Sequence, residues 1–174
     1  GNEALQPPPA GLQVTIDGQD ADEEPDGGNY KWTATKEMDG SDNEGDIAFN
    51  IKFKDLAGNE GLDVDDDNIL VETNIKFDRT DPELNDPTLV SSNDVITLAT
   101  TGDVITISIT SAEPLFAMKD ATVAGQNVAN QTTASTSKTA WEVGHTVSGA
   151  EADGYATYAY TAVDWAGNTT TVTS

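Results

Sequence analysis

Apolar and polar residues alternate along this chain in short runs, and no window sustains a helical period. Ile47, Phe49, Ile51 and Phe53 alternate with more polar neighbours, the pattern of a half-buried strand. Val95 to Leu98 and Ile105-Thr106-Ile107-Ser108-Ile109 read as two more strands. Threonine and valine are frequent, and clusters such as Asp26-Gly27-Gly28-Asn29 and Asp39-Gly40-Ser41-Asp42 mark turns between the runs. The pattern predicts an all-β chain whose strands pack as β-sandwiches. In the later half it predicts seven strands, at 94–99, 103–111, 119–124, 126–133, 138–147, 155–163 and from 169 onward. In the earlier half it predicts strands at 11–18, 19–24, 29–37 and 46–54, then a last one through Ile69, Val71, Thr73, Ile75 and Phe77. Asp78-Arg79-Thr80-Asp81-Pro82 ends that run, because proline cannot donate to a ladder and stiffens the connection.

The same pattern occurs twice. Asp55-Leu56-Ala57-Gly58-Asn59 recurs as Asp164-Trp165-Ala166-Gly167-Asn168, and Trp32 recurs as Trp141, both 109 residues on. At that offset Ile47, Phe49, Ile51 and Phe53 match Ala156, Tyr158, Tyr160 and Ala162. Val14-Thr15-Ile16-Asp17-Gly18-Gln19 matches Ala121-Thr122-Val123-Ala124-Gly125-Gln126 at 107, a difference of two residues of loop. The chain is therefore expected to be a tandem repeat, with a first module over 1–80 and a second over 81–174. The strands at 94–99 and 103–111 have no counterpart in the first copy, so that module is expected to lack its N-terminal strands and to start mid-module. Its apolar face then needs a cover, from preceding residues or from a strand donated by a neighbouring chain. Modules copied head to tail usually serve reach, spacing and adhesion.

Composition narrows the partners. Thirty-one acidic against 8 basic residues give a formal net charge of −23, whose field repels nucleic acid and anionic membranes and attracts cations. There is no cysteine, so no disulfide supports the two small cores. No apolar run approaches the length of a membrane span, so direct membrane insertion is not expected. Asn130-Gln131-Thr132 and Asn168-Thr169-Thr170 are glycan-acceptor tripeptides of a kind that also arises by chance. His145 is the only histidine, and neither a nucleophile motif nor a Cys/His cluster accompanies it, so the chain reads as non-enzymatic. Trp32 and Trp141 read as core anchors. Trp165, where the first copy has Leu56, is a candidate to pack at a module junction or to stack on a sugar.

The Ser111-Ala112-Glu113-Pro114 turn, the Asp-x-Ala-Gly-Asn turn and the Asp-Arg-Thr-Asp-Pro linker occur in an order that resembles the tandem Ig-like repeats of large bacterial surface adhesins. The resemblance covers the second module and the later two-thirds of the first. It implies extracellular, cell-surface arrays of Ig-like β-sandwiches in a cadherin-like arrangement, each module's partners being its neighbours in the chain or filament. It also implies calcium at or near the junctions. A glycan or cell-surface receptor is a further possible partner, and two other readings stay open: a carbohydrate-binding sandwich of a secreted enzyme or lectin, and a segment of a surface filament.

In such a sandwich the loops after the 103–111 and 155–163 strands lie where the chain enters. Glu113, Asp164 and Asn168 are then expected to gather beside Asp78 and Asp81 as hard oxygen ligands for calcium. The alternative is that Asp-x-Ala-Gly-Asn is a tight turn and nothing more, its glycine supplying a left-handed conformation. In the first module Asp63, Asp65 and Asp67 alternate within the inserted Leu62–Asn68 stretch. They begin like an EF-hand loop but lack its glycine at position six and its flanking helices. They are expected either to bind calcium with Asp55 and Glu3 or to form a solvated acidic loop. The acidic stretch Asp39 to Asp46 is a weaker candidate.

Overall fold

A computed structural model describes residues 3–26, 31–68, 75–128, 131–133 (backbone only) and 135–174. Among the described residues the chain is nearly all β and every strand pair is antiparallel, and the chain divides into two compact units between Asp78 and Arg79. Among the described residues no helix is long and apolar enough to cross a membrane.

The first unit contains β1 (Gln13–Ile16), β2 (Gln19–Asp20), β3 (Asp22–Pro25), β4 (Trp32–Thr35), β5 (Gly45–Asp46), β6 (Phe49–Lys52), β7 (Val64–Asp65), a 3-10 turn at Asp66–Asn68, and β8 (Lys76–Phe77). They form a sheet in the order β2-β1-β6-β7 and two strand pairs, β3-β4 and β5-β8. The run expected at 19–24 divides at buried Ala21, so that β2 and β3 belong to different sheets. Most of the run expected at 69–77 lies outside the described residues; its end is β8. The core is small: Leu12, Val14 and Ala21 are buried, and Leu5, Ile16, Trp32, Ala34, Ile51 and Phe53 are partly buried around them.

The second unit contains β9 (Thr88–Ser91), β10 (Val104–Thr110), β11 (Ala117–Val123), β12 (Gln126–Asn127), β13 (Gln131–Thr133), β14 (Ala140–Thr146), β15 (Tyr158–Val163) and β16 (Thr169–Thr173). One sheet runs β13-β14-β10-β9 and the other β12-β11-β15-β16. Side chains from both enter one buried cluster that includes Ile105, Ile107 and Ile109 of β10, Met118, Ala121 and Val123 of β11, Trp141 and Val143 of β14, and Tyr160 and Ala162 of β15. The alternation read from the sequence is this inward-facing set.

Two expected strands are corrected. The strand expected at 94–99 is instead β9, at Thr88–Ser91, and residues 92–103 form the connection to β10. Side chains hold that connection: Asn93 Oδ1 accepts the Val95 N–H at 3.0 Å, and Asp103 Oδ2 accepts the Thr100 N–H and the Asn93 side chain, each at 2.8 Å. Short polar side chains bonding nearby backbone compete with ladder formation. Val95, Ile96 and Leu98 are consequently more than half exposed. The strand expected at 126–133 is likewise two strands, β12 and β13, in different sheets.

The repetition seen in the sequence extends to hydrogen bonds. Ile16 faces Phe49 across β1 and β6, and Val123 faces Tyr158 across β11 and β15, the same pairing moved by the two offsets. Ala21 N–H donates to Val14 O at 2.9 Å, and Val128 N–H to Ala121 O at 2.8 Å. Asp17 N–H donates to Ala48 O and Ala124 N–H to Thr157 O, both at 2.8 Å. The turns match as well, with φ of 50° and 73° at Asp17-Gly18 and of 50° and 74° at Ala124-Gly125. Consecutive residues of positive φ suit a two-residue hairpin between right-twisted strands.

Candidate metal centre

The Asp-x-Ala-Gly-Asn segment closes on itself in both copies. In the second, the Asp164 N–H donates to Asn168 O at 3.1 Å. Asp164 Oδ1 accepts the N–H groups of Gly167 (2.6 Å) and Asn168 (2.8 Å), and Oδ2 accepts the Asn168 side-chain amide at 2.8 Å. In the first, the Asp55 N–H donates to Asn59 O at 3.0 Å, and Asp55 accepts the Asn59 backbone at 2.8 Å and its side chain at 2.6 Å. Gly58 and Gly167 take φ of 91° and 101°, the left-handed region that glycine enters without a Cβ penalty. The turn therefore has a structural role in each copy whether or not an ion binds. Its hydrogen bonds, the Asn59 side chain first, hold the Asp55 carboxyl below the ordinary carboxylate range.

The surroundings differ between the copies. Asp78, Glu113 and Asp164 each bring a carboxylate oxygen within 4.8 Å of the others, Asp78 being exposed, Glu113 half-buried and Asp164 buried. Asp78 directly precedes the second unit, and the residues that follow are strapped along that unit. Thr169 N–H donates to Asp81 Oδ1 at 3.3 Å, Thr170 Oγ1 donates to Pro82 O at 2.7 Å, and Ala112 N–H donates to Glu83 O at 3.1 Å. Asp81 is not among these three carboxylates, and Asn168 touches Asp164 through its backbone N–H and its side-chain amide. Three carboxylates are hard oxygen donors of the kind calcium takes, and carbonyls and water would complete its six to eight ligands, so the donor set fits.

Among the described residues this is the one acidic group so arranged. Asp63 and Asp67 are exposed, as is Glu3. Asp65 Oδ1 accepts the Asp67 N–H at 3.2 Å and the Asn68 side chain at 2.6 Å, which caps the 3-10 turn. In the 39–46 stretch, Asp42 is 2% exposed and already has a cation: it accepts Lys36 Nζ at 2.6 Å, Gln19 Nε2 at 2.8 Å and the Asp39 N–H at 2.6 Å. The Lys36 bond, followed by the Asp39 N–H, keeps its carboxyl below the ordinary range.

Sequence reasoning missed two polar knots. One is Asp42 with Lys36 and Gln19. The other is His145, whose Nε2 lies 2.7 Å from Glu151 Oε1 while Glu151 also accepts N–H groups of Ser148 and Gly149. These bonds, His145 first, lower the Glu151 carboxyl to about 2. No local signal marks either knot, because the fold sets which side chains meet. Trp165 is 62% exposed; its ring meets Phe116 edge-on at 5.1 Å, with Lys138 Nζ 4.4 Å from its centre.

No family model, no curated protein and no solved structure matches the chain.

Proposed function

We propose that this chain is a segment of a tandem array of Ig-like β-sandwich modules, a non-catalytic structural or adhesive element of an extracellular or cell-surface protein, with calcium at Asp78, Glu113 and Asp164. The observation that carries the reading is the duplication itself, conserved down to strand register and turn bonds. The sheet order of the second unit supports the Ig-like assignment, because one sheet holds β9, β10, β13 and β14 while the other holds β11, β12 and the pair β15-β16 that meets at the Asp-x-Ala-Gly-Asn turn. Calcium follows from charge. Three carboxylates that crowd together repel one another, and a divalent ion relieves this.

Calorimetry of the full chain with calcium and with chelator tests the reading. A ligand of the folded state stabilises it by about 2.7 kcal/mol at a hundredfold excess over Kd, so chelation lowers the melting temperature, and the effect disappears in Glu113→Gln. Equal melting temperatures in both conditions overturn the calcium assignment. An absence of further Asp-x-Ala-Gly-Asn modules in the full coding sequence overturns the array. The exposed Trp165 and Phe116 favour a second reading, a carbohydrate-binding sandwich, which predicts glycan-array binding that Trp165→Ala abolishes.

A further inference from the structure

The repeat allows one copy to be read against the other, and β4 is where they differ most. In the second unit the equivalent strand, β14, is central: β13 lies on one side and β10 on the other. In the first unit β4 pairs with β3, and among the described residues no strand borders its other edge. The direction of the unused groups follows from the ladder. Asp26 N–H donates to Lys31 O at 2.8 Å, which makes that opposed pair the hydrogen-bonded kind. Alternation then turns the N–H and C=O groups of Thr33 and Thr35 toward β3, and those of Trp32 and Ala34 toward the open edge.

Their counterparts 109 residues on are Trp141 and Val143. Ser111 N–H donates to Thr139 O at 3.0 Å, so by the same alternation Trp141 and Val143 bond to β10, opposite Ile109 and Ile107. The backbone groups that β10 satisfies in one copy are the ones left open in the other. Side chains agree. Trp141 and Val143 are 8% and 0% exposed in the cluster that holds Ile105, Ile107 and Ile109, whereas Trp32 and Ala34 are only partly buried and the Trp32 indole N–H is buried without a partner.

We propose that the open edge of β4 is a strand-acceptor site. Its occupant is an extended polypeptide segment with aliphatic residues at alternate positions, a β10-like strand lying antiparallel to β4, with the Ile109-like and Ile107-like residues opposite Trp32 and Ala34. Main-chain bonds to Trp32 and Ala34 give affinity, and the aliphatic side chains cover the apolar face. The proposal rests on the duplication that underlies the array reading, and not on calcium or on cellular location, so either can fail without the other.

The test is residue-resolved hydrogen exchange on the full chain, alone and with a synthetic peptide copying Asp103–Ser111. In the free chain the amides of Thr33 and Thr35 are protected and those of Trp32 and Ala34 exchange fast. The peptide slows Trp32 and Ala34 by about tenfold or more. A control peptide with asparagine at the three isoleucine positions leaves them unchanged. Three outcomes overturn the proposal: Trp32 and Ala34 already as protected as Thr33 and Thr35 in the free chain, no slowing at saturating peptide, or equal slowing by the control.

Discussion

Ile107→Ala tests whether the second unit is held by the core in which β10 is the central donor of side chains. Ile107 is 0% exposed, faces Val143 on β14 and Leu89 on β9, and belongs to the cluster that both sheets share. The substitution removes three carbons, a transfer loss of about 2.4 kcal/mol at about 0.8 per carbon. A residual cavity of about 40 Å³ adds about 1 kcal/mol at about 24 cal/mol per Å³. The expected loss is about 3 kcal/mol. For a unit the size of Arg79–Ser174, each kcal/mol moves the midpoint by about 4–8 °C, so the drop is about 12 °C or more. Urea unfolding followed by exchange of the β10 and β14 amides reads this in the second unit alone, with an unchanged denaturant slope. Ile96→Ala is the internal control: Ile96 is 60% exposed, and its loss stays within about 0.5 kcal/mol. A cost below about 1 kcal/mol for Ile107→Ala, or an equal cost at the two sites, refutes the assignment of this core.

Trp141→Ala is expected to cost about 3–5 kcal/mol, since the ring is 8% exposed and its N–H donates to Lys138 O at 3.0 Å. Trp32→Ala costs less because that ring is only partly buried in a smaller cluster; equal losses in chemical denaturation would contradict this. Glu151, lowered to about 2 from an ordinary 4.5, contributes stability that is present above the unfolded value and lost as pH falls from about 4.5 toward 2. Glu151→Gln flattens the stability profile over that window, and an unaltered acid limb counts against the His145–Glu151 clasp. Tyr160 is 1% exposed with an unbonded hydroxyl, and burial, then the charges of Tyr158 and Asp86, push it up to about 12. Tyr160→Phe is therefore neutral or stabilising near pH 7 and removes a loss of stability expected as pH rises from about 10 to 12; marked destabilisation at neutral pH would show that the hydroxyl has a partner.

Strand character, alternation and duplication were legible in the sequence because they depend on local period and self-similarity. Inward positions such as Ile105, Ile107 and Ile109 alternate with polar ones by the geometry of a pleated strand, and a copied stretch repeats its turns because turn chemistry is local: Asp-x-Ala-Gly-Asn needs only its own glycine and carboxylate. The same reasoning failed at Val95 to Leu98. Their apolar character suggests a strand, but Asn93 and Asp103 hold the connection by bonds between residues two to ten positions apart, and the strand forms earlier. Sheet membership was equally hidden, since the step from β2 to β3 and from β12 to β13 crosses between sheets with little change in the residues.

Tertiary structure alone decided which charges meet. Among the many acidic residues, Asp42 is buried against Lys36, Glu151 takes His145, and Asp78, Glu113 and Asp164 converge from sequence positions up to 86 residues apart. Composition sets how many carboxylates there are, whereas the path of the folded chain sets their separation. The open edge of β4 belongs to the same class: only the ladder shows that Trp32 and Ala34 turn their backbone groups away from β3, because hydrogen-bond direction alternates with register and register is a property of paired strands.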